Sequence, residues 1–164
     1  MRTSYERAID VEASPDEAYA CWSRLSDFPA FVGELERVDE LTRGRSRWHA
    51  RFAGIDYAWT AEITERIPGR RIAWCTREGP ANAGCVTFNR LESGRTRVML
   101  QLDYRPNGLI ASAGDILRLP QLCLDAALEG FKRWVEGGPP RPAAPTPQAR
   151  NAPAAPRPDY QPGL

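Results

Sequence analysis

The sequence predicts an α+β fold: a curved antiparallel sheet of about seven strands, with two short helices after strand 1, wrapped around one long C-terminal helix. Three observations predict it. A series of segments alternates apolar and polar residues between Gly-rich or polar turns, as half-buried strands do. A helix start signal, Ser14-Pro15-Asp16-Glu17, follows the first of them. One amphipathic stretch, with Leu124, Leu128, Phe131 and Val135 at helical spacing, closes the ordered part.

The elements follow in order. Segment 5–11 alternates and forms the first strand. Ser14 as N-cap, Pro15 at the first helical position and Glu17 three residues past the cap form a capping box, and Ala18, Cys21, Trp22 and Leu25 give that helix its apolar stripe. Ser26-Asp27 is placed to cap a second short helix over residues 28–31. Six strand-like runs then follow at 35–41, 47–52, 57–67, 70–76, 84–91 and 96–104, with a loop expected at 77–83. The last helix spans about 107–136, and Pro120 is expected to kink or split it, because proline removes a backbone donor.

The chain has 164 residues and a formal net charge of +1, so no global field draws it to nucleic acid or an anionic membrane. Its length suits one domain, residues 1–137, followed by a Pro/Ala-rich tail, 138–164. Such a tail cannot bury enough apolar surface to offset its ordering entropy and is expected to be disordered. The N-terminus has no apolar stretch resembling a signal peptide, and no window approaches the ~20 apolar residues of a membrane span, so the expectation is a cytoplasmic protein without a transmembrane segment. Cys21, Cys75, Cys85 and Cys123 show no CxxC spacing, and the lone His49 completes no familiar zinc pattern with them. Neither a metal nor a cofactor is expected. Cys75 and Cys85 flank a turn and are candidates for a cross-strand disulfide, with free thiols the default in a reducing compartment.

Short turns make consecutive strands antiparallel neighbours, and one face of such a sheet must be buried. Only the long helix is large enough to cover it. The inner face then collects Trp48, Phe52, Tyr57, Trp59, Ile72, Trp74, Val86, Phe88, Val98, Leu100, Leu102 and Tyr104. One helix cannot fill a strongly curved sheet, so an apolar cavity is expected between them, of the kind that takes small ligands. Its expected ligand-binding residues are Trp48, Phe52, Tyr57, Trp59, Trp74, Phe88, Leu100, Leu102 and Tyr104 from the sheet, with Leu117 and Leu124 from the helix.

This element order, and the runs SPDEAYACWSRLSDFPAF, YAWTAEITERIPGRRIAWCT, GCVTFNRL and TRVMLQLDY, resemble the polyketide cyclase/dehydrase and lipid-transport group of the START-like (SRPBCC) superfamily. The resemblance covers about residues 5–136 and implies the helix-grip fold. It also marks Asp27-Phe28-Pro29-Ala30, the Ile67-Pro68-Gly69-Arg70 turn and Trp74 as structural signatures, and implies no catalytic residue.

Catalytic candidates are few. His49, the one histidine, alternates with Trp48 and Ala50 and so points outward with Arg47 and Arg51. Glu62 and Glu65 lie in one strand but on opposite faces, and Glu34, Glu36, Asp39 and Glu40 form a solvated rim. Tyr104 and Arg105 remain. A phenol at the end of the inner face either hydrogen-bonds a ligand carbonyl or stabilises an enolate, or is a core tyrosine with a backbone partner.

Three functions are compatible with this pattern. The first is a non-enzymatic binder or transporter of a lipid, isoprenoid or polyketide. The second is a polyketide aromatase/cyclase or dehydrase, in which the cavity templates the reaction. The third is a protein-interaction module. The expected partner is an apolar small molecule, with no nucleic acid, and the chain is expected to be a monomer or weak homodimer.

Overall fold

Strand alternation and short turns build the sheet that the sequence predicts. The computed structural model describes residues 3–52, 54–79, 81–105 and 119–137. Its elements are β1 (Thr3–Val11), α1 (Pro15–Ser23), a 3₁₀ helix (Leu25–Ala30), β2 (Leu35–Glu40), β3 (Arg45–Phe52), β4 (Ile55–Ile67), β5 (Arg71–Glu78), β6 (Ala81–Arg90), β7 (Thr96–Arg105) and α2 (Leu119–Val135). The strand order is β1-β7-β6-β5-β4-β3-β2, with every neighbouring pair antiparallel. The sheet curls into a half-barrel with the C-terminal helix against it, the helix-grip fold.

Strands β2 to β7 form a meander, and β1 joins it beside β7, so β1 and β2 are the two edges. An edge strand exposes unpaired backbone groups. Where β1 ends, α2 engages two backbone groups: Lys132 Nζ donates to the Asp10 carbonyl at 2.7 Å, and the N–H of Glu12, just past the strand, donates to Glu136 Oε1 at 2.8 Å. Lys132 and Glu136 also pair with each other across one helical turn, at 2.8 Å. One ion pair thus ties the end of the strand to the end of the helix.

The capping box forms as expected: Ser14 Oγ accepts from the Glu17 N–H and Glu17 Oε2 from the Ser14 N–H, with Pro15 opening the helix. The second short helix differs. It is a 3₁₀ helix that begins at Leu25, so Ser26 and Asp27 lie inside it, and Asp27 pairs with Arg24 instead of capping.

Together α1, the 3₁₀ helix and the C-terminal half of α2 enclose one end of the concave face. Trp22 sits among Phe28, Phe88 and Phe131, with ring centroids 5.2, 6.4 and 4.9 Å away. Phe131 is wholly enclosed, as are Val11, Val86 and Val98. Each such side chain contributes ~1.5–3 kcal/mol on burial. Gly130 permits the closest approach, because a Cβ there would overlap the Phe31 carbonyl.

Several expectations are corrected. The hairpin between β5 and β6 is tight: β5 runs to Glu78 and β6 begins at Ala81, where a loop over 77–83 was expected. Gly79 makes this possible with φ of +94°, and a Cβ there would lie 2.9 Å from Trp59 Cβ. A bulge between Ile63 and Glu65 resets the alternation of β4, so Glu62 (opposite Cys75) and Glu65 (opposite Ala73) share the convex face. Cys75 pairs in register with Ala83, and Cys85 with Ala73. The two sulfurs are therefore diagonal, and both are free thiols. Helix α2 is described over Leu119–Val135, and the expected kink or split at Pro120 turns on the residues before Leu119, which lie outside the described ones. Segment 106–118, with Leu117, and the expected tail 138–164 lie outside the described residues.

Candidate functional site

The cross-strand register brings the expected inner-face residues together. Trp48 lies opposite Trp59, Ala50 opposite Tyr57, and Ile63 opposite Trp74. A single row crosses the rest of the sheet from Trp74 through Gly84 and Leu102 to Tyr5. Val86 faces Leu100, and Phe88 faces Val98, one and two steps along. Phe52 and Tyr104 hold inner-face register positions, opposite Ile55 and opposite Thr3 and Asn82; their side chains, with that of Arg105, lie outside the described residues.

Burial divides this face in two. Phe88, Leu100 and Leu124 are 4%, 3% and 7% exposed and belong to the packed end beneath α1, the 3₁₀ helix and α2. Trp48, Tyr57, Trp59, Trp74 and Leu102 remain half-buried toward the opposite end. Trp48 and Trp59 stack at 6.0 Å with a 10° tilt, a favourable arrangement for a cross-strand aromatic pair. Two aromatic contacts connect the halves: Trp48 meets Phe28 edge-on at 5.5 Å, and Phe28 in turn meets Trp22.

Gly84 shapes the open half. The Trp74 indole lies across it, and a Cβ at position 84 would fall 2.6 Å from Trp74 Cζ2. Only the missing Cβ lets the indole approach the strand this closely.

Polar groups on this half are sparse. Trp48 Nε1 donates to Ser46 Oγ at 2.8 Å, so that indole is satisfied within the protein. The indole N–H groups of Trp59 and Trp74 have no hydrogen-bond partner among the described residues. Near the hairpin tip, Thr76 Oγ1 accepts from the Asn82 N–H at 3.3 Å. On β1 the sequence reading missed Tyr5 and Arg7. Tyr5 is buried in the inner row, and Arg7 lies opposite Leu100 with its Nε donating to Asp125 on α2 at 3.0 Å. Their alternation with Ile9 and Val11 was visible, but only the pairing of β1 with β7 places them on this face.

The displaced ionisations lie elsewhere. A hydrogen bond from Arg97 holds the Asp10 carboxyl below its usual range, one from Arg77 does the same for Glu62, and one from Arg51 for Asp56. These pairs sit on the convex face. His49 is there too, with Nε2 3.0 Å from an Arg37 nitrogen. Among the described residues no group of three or more His, Cys, Asp or Glu is placed to hold a metal ion, and no helix is long and apolar enough to cross a membrane. The concave half thus offers aromatic walls and two unengaged indole donors.

Comparison with known proteins agrees with this fold. Over 132 residues the chain is 37% identical to an uncharacterised 17.2 kDa protein encoded in the melC2–rnhH intergenic region of Streptomyces lincolnensis, covering 80% of this chain and 88% of the relative. A solved Deinococcus radiodurans protein is 29% identical, with a TM-score of 0.63 over 82% of this chain and 98% of its own. The aromatase/cyclase Zhui from a Streptomyces species is 20% identical and shares the fold, with a TM-score of 0.71 over 84% of this chain and 95% of its own. Residues 11–121 match the family profile described as polyketide cyclase/dehydrase and lipid transport. The chain therefore belongs to the polyketide cyclase/dehydrase and lipid transport family.

Proposed function

We propose that the open half of the concave face binds an apolar small molecule, such as a lipid, isoprenoid or polyketide, and that it does so without turning it over. The observation that carries this reading is the half-buried state of Trp59 and Trp74, whose indole N–H groups have no partner among the described residues. Flat apolar rings favour a ligand with aromatic or extended apolar surface. Unengaged donors at their edges favour one that also carries a carbonyl or hydroxyl oxygen. Trp48, Tyr57 and Leu102 complete the described wall, and the expected contributions of Phe52, Tyr104 and Leu117 belong to the same proposal.

Native mass spectrometry of the purified protein, followed by organic extraction, tests this. A co-purifying apolar compound supports binding and identifies its class. An empty protein that gains no thermal stability from a panel of lipids, quinones and aromatic polyketides contradicts it.

A second reading is cyclisation or dehydration of a polyketide, supported by the family description and by the shared fold of Zhui. Under that reading Tyr104→Phe or Arg105→Ala abolishes turnover of a linear polyketide analogue. Under the binding reading they change only its affinity.

A further inference from the structure

The Ile67-Pro68-Gly69-Arg70 turn has no part in the concave face. It lies at the packed end of the sheet, beside the start of α1, and bounds an open depression of about 610 Å³. Ile67, Gly69, Arg70 and Arg71 form one wall, the end of β6 (residues 87–90) a second, and Pro15 a third. The turn is pinned on two sides. The Arg70 N–H donates to the Ile67 carbonyl at 2.9 Å, and the Phe88 N–H donates to the Arg70 carbonyl at 2.9 Å. Gly69 adopts φ of +71°, and the Asp16 carboxylate fills the space that a Cβ would take.

The depression carries arginines with no carboxylate partner among the described residues. Several arginines elsewhere sit against carboxylates, Arg97 on Asp10, Arg51 on Asp56 and Arg77 on Glu62, each at 2.8 Å, whereas Arg43, Arg66 and Arg133 are exposed without such a partner among the described residues. Within the depression Arg71 is similarly held by Glu65 at 2.8 Å. Arg70 and Arg90 are exposed and make no ion pair or side-chain hydrogen bond among the described residues. Two arginines thus line one concavity with no carboxylate paired to either among the described residues, the Asp16 carboxylate lying nearby against Gly69. Their planar donor forks match the oxygens of a phosphate. The depression is larger than a phosphate and is partly apolar, with Ile67 41% exposed at its rim and Phe88 in its wall. Thr87 and Asn89 add neutral polar groups to the lining, the Asn89 amide donating to Thr87 Oγ1 at 3.4 Å.

We propose that this depression is a second binding site, separate from the open half of the concave face, for a phosphate ester with an apolar substituent, Arg70 and Arg90 holding the phosphate oxygens. The ester is either a soluble molecule or a lipid headgroup. Asp16, the acid against the turn, opposes the anion and sets an upper limit on its affinity.

Calorimetric titration of the full chain with phenyl phosphate, at ionic strength matched with sodium chloride, tests the site. Sedimentation with phosphatidylcholine vesicles, with and without phosphatidic acid, forms a parallel arm. Binding to phenyl phosphate supports a soluble ester; selective sedimentation with phosphatidic acid alone supports a headgroup. In either arm the Arg70→Gln/Arg90→Gln double variant must weaken binding tenfold or more, and Asp16→Asn must strengthen it. The exposed and unpaired Arg133 on α2 is the control, and Arg133→Gln must leave binding unchanged. Failure of both arms overturns the proposal, as does an equal loss in Arg133→Gln, or a double variant that binds as tightly as the parent.

Discussion

Substituting Gly84 by alanine perturbs the open half of the concave face with a single methyl group. The added carbon would lie 2.6 Å from Trp74 Cζ2, 3.0 Å from Cε2 and 2.6 Å from the Gln101 carbonyl oxygen. Carbon atoms in favourable contact stand ~3.5–4.0 Å apart, so the indole must retreat by roughly 1 Å. Trp74 is half-buried, and the direction open to it is into the concavity. The stability cost is that of a modest overpacking, ~1–3 kcal/mol. The effect on a ligand bound against that ring is larger in proportion, because the ring occupies the ligand's volume. We expect the affinity for dihydroxyanthraquinone, a flat apolar probe with carbonyl acceptors, to fall at least about tenfold, or ~1.4 kcal/mol. Isothermal titration calorimetry measures it. Gly94→Ala is the control: Gly94 has φ of +80° and nothing within 4 Å of the place a Cβ would take, so its substitution strains the backbone away from the site. It should lower stability and leave affinity intact. Unchanged affinity in Gly84→Ala, with stability lowered as expected, would refute the placement of Trp74 on the binding wall.

Other predictions concern the grip itself. Phe131→Ala empties a fully enclosed site between Trp22 and Phe31 and should cost ~3–5 kcal/mol in urea unfolding. Gly130→Ala drives a methyl group into the Phe31 carbonyl and should destabilise by ~1–3 kcal/mol or more, although alanine favours helix. Glu136 bears on pH dependence. The hydrogen bond from Lys132 holds its carboxyl below the usual glutamate value of 4.5, so its stabilising effect is complete above that value and is lost as pH falls through the lowered folded value. The stability gap between the parent and Glu136→Gln should be constant above about pH 5.5 and shrink in acid; a gap that widens in acid would contradict the clasp on β1.

Much of this architecture was legible in the sequence because it rests on local patterns. Ser14, Pro15 and Glu17 announce α1 through their own hydrogen bonds. The alternation from Val98 to Leu102 fixes the inward face of β7, and the register carries it to β6. What escaped depends on single residues or on contacts distant along the chain. One inserted residue, Thr64, turns Glu65 onto the face of Glu62, and nothing in the composition of β4 marks it. Gly79 and its positive φ convert an apparent loop into a hairpin that closes over Trp59. The pairing of β1 with β7 joins the two ends of the domain and brings Tyr5 and Arg7 inward. At the candidate site, alternation identified the aromatic face but could not rank its members. Phe88 and Trp74 follow the same period, yet Trp22 and Tyr19 cover the first while the second stays half-buried.

Ligand binding at the open half of the concave face, as proposed, can be watched through the protein's own tryptophans. The five report separately, because Trp48, Trp59 and Trp74 line that half, whereas Trp22 is buried in the packed end and Trp134 lies against Phe31. NMR titration of the indole N–H signals of nitrogen-labelled protein with dihydroxyanthraquinone measures this. Binding at the aromatic wall requires that the Trp59 and Trp74 signals shift most and saturate together, with Trp22 and Trp134 unmoved. Shifts confined to Trp22 or Trp134, or none at any concentration up to the solubility of the probe, would contradict it.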